Sequence, residues 1–175
     1  STGGDAVDSN GNLSVTGGVI VAYAPTGSED ALDCGDNYSI SISGGVIAGT
    51  CGSTMGLSSM STSGQKVLYF SGSGSSSSGP GSSRGGSSGS SSISAVAVQV
   101  SGSYKYAYKL PSSSYGLFFM SCPSFTSSSS SSYTVYTGAS FSGGTSFHDL
   151  YAIDASSTTM PTITTGSSTS TPSIK

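Results

Sequence analysis

Apolar and small polar residues alternate along the first fifty positions of the chain. Leu13 and Val15 are separated by a serine, as are Ile40 and Ile42. A period of two places successive side chains on opposite faces of a β-strand. Each run leads into a Gly-Gly pair, where the backbone can bend sharply, and then into a second β-branched run. The pattern predicts short strands with an apolar inner face and a hydroxyl-bearing outer face.

These strands belong to a repeat of about 25 residues. Segments 4–12 and 29–37 share two aspartates and an asparagine at an offset of 25, and segments 13–20 and 40–47 correspond at an offset of 27. Short strands separated by Gly, Asp and Asn corners are typical of a β-solenoid, in which each rung buries its apolar face on the next. We therefore expect an all-β fold whose N-terminal part consists of right-handed parallel β-helix rungs.

From Met55 the repeat fades, and antiparallel strands are expected in the part of the chain that follows. Strand patterns cover residues 66–70, 93–100, 104–110, 115–120 and 133–137. The second and third of these flank a Gly-containing turn, which makes them a candidate hairpin. The expected organisation is β-helix rungs over 1–60, a β-rich capping region over 61–155 with a Ser/Gly-rich loop at 71–92, and a Ser/Thr-rich C-terminal arm over 156–175.

Composition narrows the class of protein. Serine, threonine and glycine fill about half of the chain, and only 7% of residues are charged, against roughly a quarter in an ordinary soluble domain. A coiled coil or a charge-rich helical bundle is thereby excluded. The net charge is −3 with five basic residues, so nucleic acid is not an expected partner. The apolar runs fall far short of the roughly 20 residues that cross a bilayer, and membrane insertion is not expected either.

The cysteines bear on the cellular location. Cys34, Cys51 and Cys122 lack zinc-site spacing, and the single histidine cannot complete a tetrad with them. One disulfide with one thiol left over is expected for an extracellular protein, and all three pairings are open. Because the chain begins at Ser1, we interpret it as processed and expect it outside the cell or at the cell surface.

Acidic residues are concentrated in the repeat. The offset of 25 would place Asp5 over Asp30 and Asp8 over Asp33, about 4.8 Å apart if they stack as neighbouring strands do. Stacked carboxylates repel each other, and calcium, which binds about six to eight oxygens, would relieve that repulsion. The expected metal ligands are Asp5, Asp8, Asn10, Asp30, Asp33 and Asp36. The alternative is that these residues only cap turns.

A second candidate site lies in the expected hairpin. Tyr104, Tyr106 and Tyr108 alternate with other residues and would share one face of a strand, with Lys105 and Lys109 on the other face. Aromatic rings can stack on sugar rings, and lysine suits an acidic sugar. These five residues are therefore candidates for carbohydrate binding. The alternative is that the tyrosines form a packing face of the sheet.

Two sequons raise the question of covalent glycans. Asn12 and Asn37 each begin an N-glycosylation motif, 25 residues apart. The Ser/Thr runs at 71–92, 126–132 and 156–171 are candidates for O-glycans. The alternatives are that the asparagines are needed at the corners and that the serine runs are plain loops.

The repeat also resembles a known family. Residues 4–36 read GDAVDSNGNLSVTGGVIVAYAPTGSEDALDCGD and residues 41–56 read SISGGVIAGTCGSTMG. These segments are similar to the last rungs of clostridial-type carbohydrate-binding domain-containing proteins, and SSYTVYTG at 131–138 continues the similarity more weakly. The resemblance implies a secreted right-handed parallel β-helix capped by antiparallel strands, with calcium between the rungs and cellulose or acidic sugars as ligands.

Catalysis is not expected. Pectate lyases share the solenoid and the calcium but need a basic residue near the metal, and no lysine adjoins the acidic repeat. His148 and Asp149 are adjacent and would point to opposite sides of a strand. We predict a secreted, calcium-stabilised, non-catalytic carbohydrate-binding module. The alternative is a structural subunit of a glycosylated extracellular fibre, in which the first rung of one copy stacks on the last rung of the next.

Overall fold

The described chain is all-β apart from two short turns of helix. The computed structural model describes residues 4–24, 29–51, 55–62, 65–71, 93–111 and 116–175. Within them the strands are β1 (Leu13–Tyr23), β2 (Ile40–Cys51), β3 (Met60–Thr62), β4 (Val67–Ser71), β5 (Ala95–Val100), β6 (Ser103–Lys109), β7 (Leu117–Ser121), β8 (Tyr133–Thr137), β9 (Ser140–Ser142), β10 (Leu150–Ala152), β11 (Thr162–Thr164), β12 (Thr169–Ser170) and β13 (Ser173–Ile174). A one-turn helix, α1, spans Met55–Ser58, and a 3-10 turn spans Ser130–Ser132. No helix in these ranges is long and apolar enough to cross a membrane.

The repeat forms parallel strands in the predicted register. β1 pairs with β2 with Leu13 opposite Ile40, and a parallel bridge joins Val7 to Leu32. The two offsets of the repeat are therefore confirmed in space. β3 adds a third parallel strand, with Met60 opposite Ile40, which the fading sequence repeat did not indicate.

The mixed sheet contains both the parallel strands and antiparallel ones. Its order is β1-β2-β7-β4-β13, and β3 pairs with the beginning of β2. The second half of β2 pairs with β7 in antiparallel fashion, from Ile47 opposite Ser121 to Cys51 opposite Leu117. Within the described residues the parallel strands therefore do not continue into a closed solenoid. The expected division near residue 60 is not a structural boundary, since β2 pairs with the parallel strands β1 and β3 and also with the antiparallel strand β7.

A five-stranded antiparallel sheet packs against the mixed sheet. Its order is β10-β6-β5-β8-β12. The predicted hairpin is confirmed as β5 and β6, joined by Ser101 (φ 51°) and Gly102 (φ 79°). Positive φ at both turn residues matches the twist of the flanking strands. The strands predicted at 66–70, 115–120 and 133–137 are confirmed as β4, β7 and β8.

The core has two main parts, one on each face of the mixed sheet. Between the two large sheets, alternate residues of β2, such as Val46 and Ala48, pack with Phe118, Tyr106 and other residues of the sandwich. On the opposite face a second cluster forms, listed here by its most deeply buried aliphatic members: Leu32, Ile40, Ile42, Ile47 and Val67. Both faces of β2 are thus covered from residue 46 onward, and this half of the strand has no polar outer face.

The C-terminal segment is not a separate arm. β11 pairs with β9 in a two-stranded sheet, β12 pairs with β8, and β13 pairs with β4. The backbone N–H of Lys175 donates to the carbonyl of Val67 at 2.9 Å. The segment is extended, but its backbone contributes to all three sheets.

Candidate functional site

An acidic cleft lies where the corners of the first two coils meet α1. Its volume is about 320 Å³. The residues that line it are Asp5, Asp30, Asp33, Cys34, Gly35, Asp36, Asn37, Ser58 and Ser59. The cleft therefore contains four of the six expected metal ligands.

Backbone pairing of the coils positions these carboxylates. The N–H of Asp33 donates to the carbonyl of Val7 at 2.8 Å, and the carboxylate of Asp5 accepts the N–H of Asp30 at 2.6 Å. One carboxylate oxygen of each of Asp5, Asp8 and Asp33 lies within 4.8 Å of the other two. The predicted stacking of the acidic corners is confirmed, and it brings three carboxylates from two coils together.

Asp30 has a different environment from the other three aspartates that line the cleft, Asp5, Asp33 and Asp36. It is buried, and its carboxylate interacts with the Cys51 thiol. Burial above all, with a smaller contribution from Asp30, raises the pKa of the Cys51 thiol to about 12. Asp30 and Asp36 line the same cleft but lie outside the group of three, whereas Asn10 is exposed and is not among the described residues that line it. Of the six expected ligands, the structure brings together Asp5, Asp8 and Asp33.

The cleft is poor in positive charge. Asp5, Asp8 and Asp33 form no ion pair with lysine or arginine within the described ranges. The ammonium of Lys175 reaches the rim, where it donates to the backbone carbonyls of Leu57 and Ser58. Close carboxylates of like charge destabilise one another unless a cation lies between them.

Two of the expected sugar-binding tyrosines are core residues. Tyr106 and Tyr108 are fully buried between the two large sheets. The Tyr106 hydroxyl donates to the carbonyl of Ile47 at 3.1 Å, and the Tyr108 ring stacks on Phe118 with centroids 5.4 Å apart. A buried ring cannot stack on a sugar in solution, so for these two residues the packing interpretation is right and the binding prediction is wrong.

A β-bulge moves the third tyrosine to the other face. Val98 lies opposite Tyr106, but the next residue of β5, Gln99, lies opposite Tyr104, so Lys105 is an extra residue in β6. Tyr104 consequently packs against the cluster of Ala97, Ala107 and Ala139 on the outer face of the sheet and is partly exposed. The prediction that the three tyrosines share a face is wrong, because an extra residue reverses the alternation.

The bulge also places Tyr104 on the face that carries the lysines. Alternation from the buried Tyr106 puts Lys105 and Lys109 on the outer face. Tyr136 of β8 lies on that face as well, with its ring centroid 6.0 Å from that of Tyr104. Sequence reasoning missed Tyr136, because only the pairing of β8 with β5 brings it there.

Both sequon asparagines are exposed at coil corners. The Asn12 side-chain oxygen accepts the N–H of Ser39 at 2.9 Å, and Asn37 has a φ of 66°. Asparagine tolerates this left-handed conformation better than most residues do. Each asparagine therefore has a local structural role, and glycosylation stays a prediction, as it does for the serine runs. Residues 72–92 of the expected loop lie outside the described part of the chain.

The disulfide prediction is wrong in this structure. Cys34, Cys51 and Cys122 are all free and buried. Cys51 and Cys34 belong to the cluster on one face of the mixed sheet, and Cys122 belongs to the cluster on the other. Burial, followed by the charge of Asp154, raises the pKa of Cys122 well above its usual value. These thiols are packing residues of the two cores.

Comparisons of the chain with protein-family models, with curated proteins and with solved structures found no match.

Proposed function

We propose that this protein is a secreted, non-catalytic carbohydrate-binding module stabilised by calcium. The observation that carries the proposal is the convergence of Asp5, Asp8 and Asp33 from two stacked coils to within 4.8 Å. The resemblance of the repeat to carbohydrate-binding proteins supplies the ligand class.

Calcium suits the chemistry of the acidic cleft. It binds carboxylates, carbonyl oxygens and water at about 2.3–2.6 Å with flexible geometry. Asp5 and Asp8 belong to the first coil and Asp33 to the second, so one ion between them would link the coils. The Asp36 carboxylate and the Asn37 side chain line the same cleft and could supply further oxygens. The ion would thus remove a repulsion and tie two rungs together.

We further infer that these coils are rungs of a right-handed parallel β-helix. The parallel pairing of β1, β2 and β3 supports this fold. A hydrogen bond between equivalent side chains of neighbouring coils supports it too: the Ser41 hydroxyl donates to the Ser14 hydroxyl at 3.0 Å on the outer face. A crystal structure with the opposite coil handedness would overturn the inference.

The proposed activity is tested by retention on polysaccharides. Purified protein is incubated with insoluble cellulose and with immobilised polygalacturonate, in calcium and in EDTA. We expect retention on at least one of them in calcium and no release of sugar or of unsaturated products. Failure to bind either material under both conditions would contradict carbohydrate binding, and product release would contradict the non-catalytic assignment.

A second candidate function is a subunit of a glycosylated extracellular fibre. It is favoured by β1, an 11-residue edge strand of the mixed sheet that contains no proline and no charged residue. Such an edge is a template for pairing with another chain.

Both sides of β2 are paired, and the opposite edge of the sheet is the two-residue β13. Joining through β1 edges therefore suits the geometry better than stacking a first rung on a last rung. Filaments in negative-stain images would favour this candidate, and monomers in solution would exclude it.

A further inference from the structure

The outer face of the five-stranded sheet presents a cluster that the inner core does not use. Gln99 of β5 stands between Tyr104 of β6 and Thr134 of β8 in the pairing register. Tyr136 lies two residues further along the same face of β8. The rings of Tyr104 and Tyr136 are inclined at 55°, and the Tyr136 hydroxyl donates to the Gln99 side-chain oxygen at 3.4 Å. Three adjacent strands thus build one polar and aromatic surface.

Small residues support the two rings from below. Ala97 and Ala107 lie opposite each other and are fully buried. The rings of Tyr104 and Tyr136 pack against these alanines and Ala139 while remaining partly exposed, and the same cluster is also contacted by Phe141, Tyr151, Met160 and Ile163. An amphipathic ring that is fixed on one side and partly accessible on the other can contact a flat apolar ligand surface at low entropic cost.

The charge of this face is positive in a protein of negative net charge. Lys105 adjoins Tyr104 in the bulge, and Lys109 follows on the same face. β5, β6 and β8 contain no aspartate or glutamate. Two aspartates flank β10, the strand that pairs with β6: the N–H of Lys109 donates to the carbonyl of Asp149 at 3.2 Å, and the Asp154 carboxylate accepts the N–H of Ser124 at 2.9 Å. Lys105 and Lys109 are therefore the groups of this face that can pair with an anion.

We propose that Tyr104, Tyr136, Gln99 and Lys105, here called the tyrosine face, bind a polysaccharide that contains uronic acid. The two rings contact the apolar faces of sugar rings, the Gln99 amide hydrogen-bonds to hydroxyls, and the Lys105 ammonium pairs with a sugar carboxylate. The proposal rests on the proposed carbohydrate-binding function and gives it a place and a ligand class. The tyrosine face and the acidic cleft use different strands, so the two can be altered separately.

Affinity electrophoresis through gels that contain polygalacturonate tests the location. The variants are Tyr104→Ala, Tyr136→Ala and Lys105→Gln, with Tyr38→Ala and Lys66→Gln as matched controls, because Tyr38 is an exposed tyrosine at a coil corner and Lys66 precedes β4. We expect each tyrosine-to-alanine change to weaken binding by about tenfold or more, as loss of an aromatic anchor does. The controls should bind as the unaltered protein does.

A neutral ligand separates stacking from charge. Methyl-esterified polygalacturonate keeps the sugar rings but removes the carboxylate charge. Lys105→Gln should weaken binding to the acid form and leave binding to the ester unchanged, and only the acid form should bind less tightly as salt is raised. Equal losses for both ligands would overturn the role of Lys105.

Phenylalanine variants keep the test valid if an alanine variant is unstable. Tyr104→Phe and Tyr136→Phe preserve the rings, so we expect each to retain binding within about threefold. Losses as large as those of alanine would overturn ring stacking. If the unaltered protein binds polygalacturonate and the folded face variants bind equally well, the location is wrong while the proposed function stands. If the unaltered protein binds no polysaccharide, the proposed function fails, and this inference fails with it.

Discussion

At the coil corners, single side chains of the first coil accept hydrogen bonds from the second. The Asp5 carboxylate accepts from the Asp30 N–H, and the Asn12 side chain accepts from the Ser39 N–H at 2.9 Å. Satisfying backbone donors explains Asp5 and Asn12, whereas the equivalent residues of the second coil have other local roles: Asp30 interacts with the Cys51 thiol, and Asn37 has a φ of 66°. The recurrence by itself therefore does not indicate a metal. Asp8 differs from these residues. Its exposed carboxylate lies within 4.8 Å of those of Asp5 and Asp33, so it adds negative charge there without adding any described hydrogen bond.

Cys51 should make stability depend on pH. Its folded-state pKa of about 12 lies above the ordinary value of 9.0, so the folded state holds this proton more tightly than the unfolded state does. The resulting stability is complete below about pH 9 and is lost as the pH rises toward 12. One such proton changes the free energy of unfolding by at most about 1.4 kcal/mol per pH unit.

Urea denaturation at about pH 8, 9 and 10 measures this effect. We expect the unfolding free energy of the Cys51→Ser variant to fall less steeply above pH 9 than that of the unaltered protein, because serine does not titrate there. Equal slopes for the two proteins would contradict the assignment.

The Gly-Gly bends offer a comparison between two equivalent positions on neighbouring strands. A Cβ at Gly44 of β2 would clash with the carbonyl oxygen of Thr16 of β1, whereas a Cβ at Gly17 of β1 has nothing within 4 Å. We therefore expect Gly44→Ala to destabilise the protein by about 1–3 kcal/mol. Gly17→Ala should change stability by less than about 0.5 kcal/mol. Denaturant midpoints of the two variants measure the difference.

A large loss at both glycines would contradict the placement of β1 at the edge of the sheet. It would mean that another strand approaches Gly17 as closely as β1 approaches Gly44. Measured at low and high protein concentration, the same pair of variants would show whether that strand belongs to a second copy.

The strands that could be predicted from the sequence are those with a sustained pattern. The alternation at 13–16, at 40–43 and in the hairpin is long enough to mark the strands, but it does not fix their faces, because the Gly-Gly bends and a bulge shift the alternation further along. The bulge at Lys105 has no such signal, because alternation assumes that no residue is inserted. β12 and β13 are only two residues long, and their pairing depends on strands far away in the chain, so no local pattern marks them.

For the whole molecule, the repeat indicated the coils but not how they are enclosed. β2 pairs with β7 and β7 with β4, so the mixed sheet is completed by segments distant in sequence. Packing of the two large sheets buries Tyr106 and Tyr108, whereas the bulge in β6 places Tyr104 on the outer face. The convergence of the acidic corners could therefore be predicted from the repeat alone, whereas the tyrosine face depends on the bulge and on the pairing of β8 with β5.

The acidic cleft and the tyrosine face lie on different elements and differ in charge. The cleft contains four aspartates, whereas the tyrosine face contains Lys105 and its three strands contain no acidic residue. A cation bound in the cleft would stabilise the coils without occupying the proposed sugar site. We therefore expect the Asp8→Asn variant, kept below its melting temperature, to bind polygalacturonate as tightly as the unaltered protein. Weaker binding in affinity electrophoresis would show that the two sites are coupled.

The most direct test of the stacked acidic corners is thermal unfolding across a calcium titration. A ligand that binds only the native state adds about 2.7 kcal/mol at a hundred times its Kd, which for a chain of this size raises Tm by about 5–10 °C. We expect that rise between EDTA and saturating calcium in the unaltered protein and in the control Asp149→Asn. Most of it should be absent in Asp8→Asn, whose carboxylate belongs to the group of three. A Tm that does not change with calcium, or that rises equally in Asp8→Asn, would contradict a calcium ion shared by the two coils.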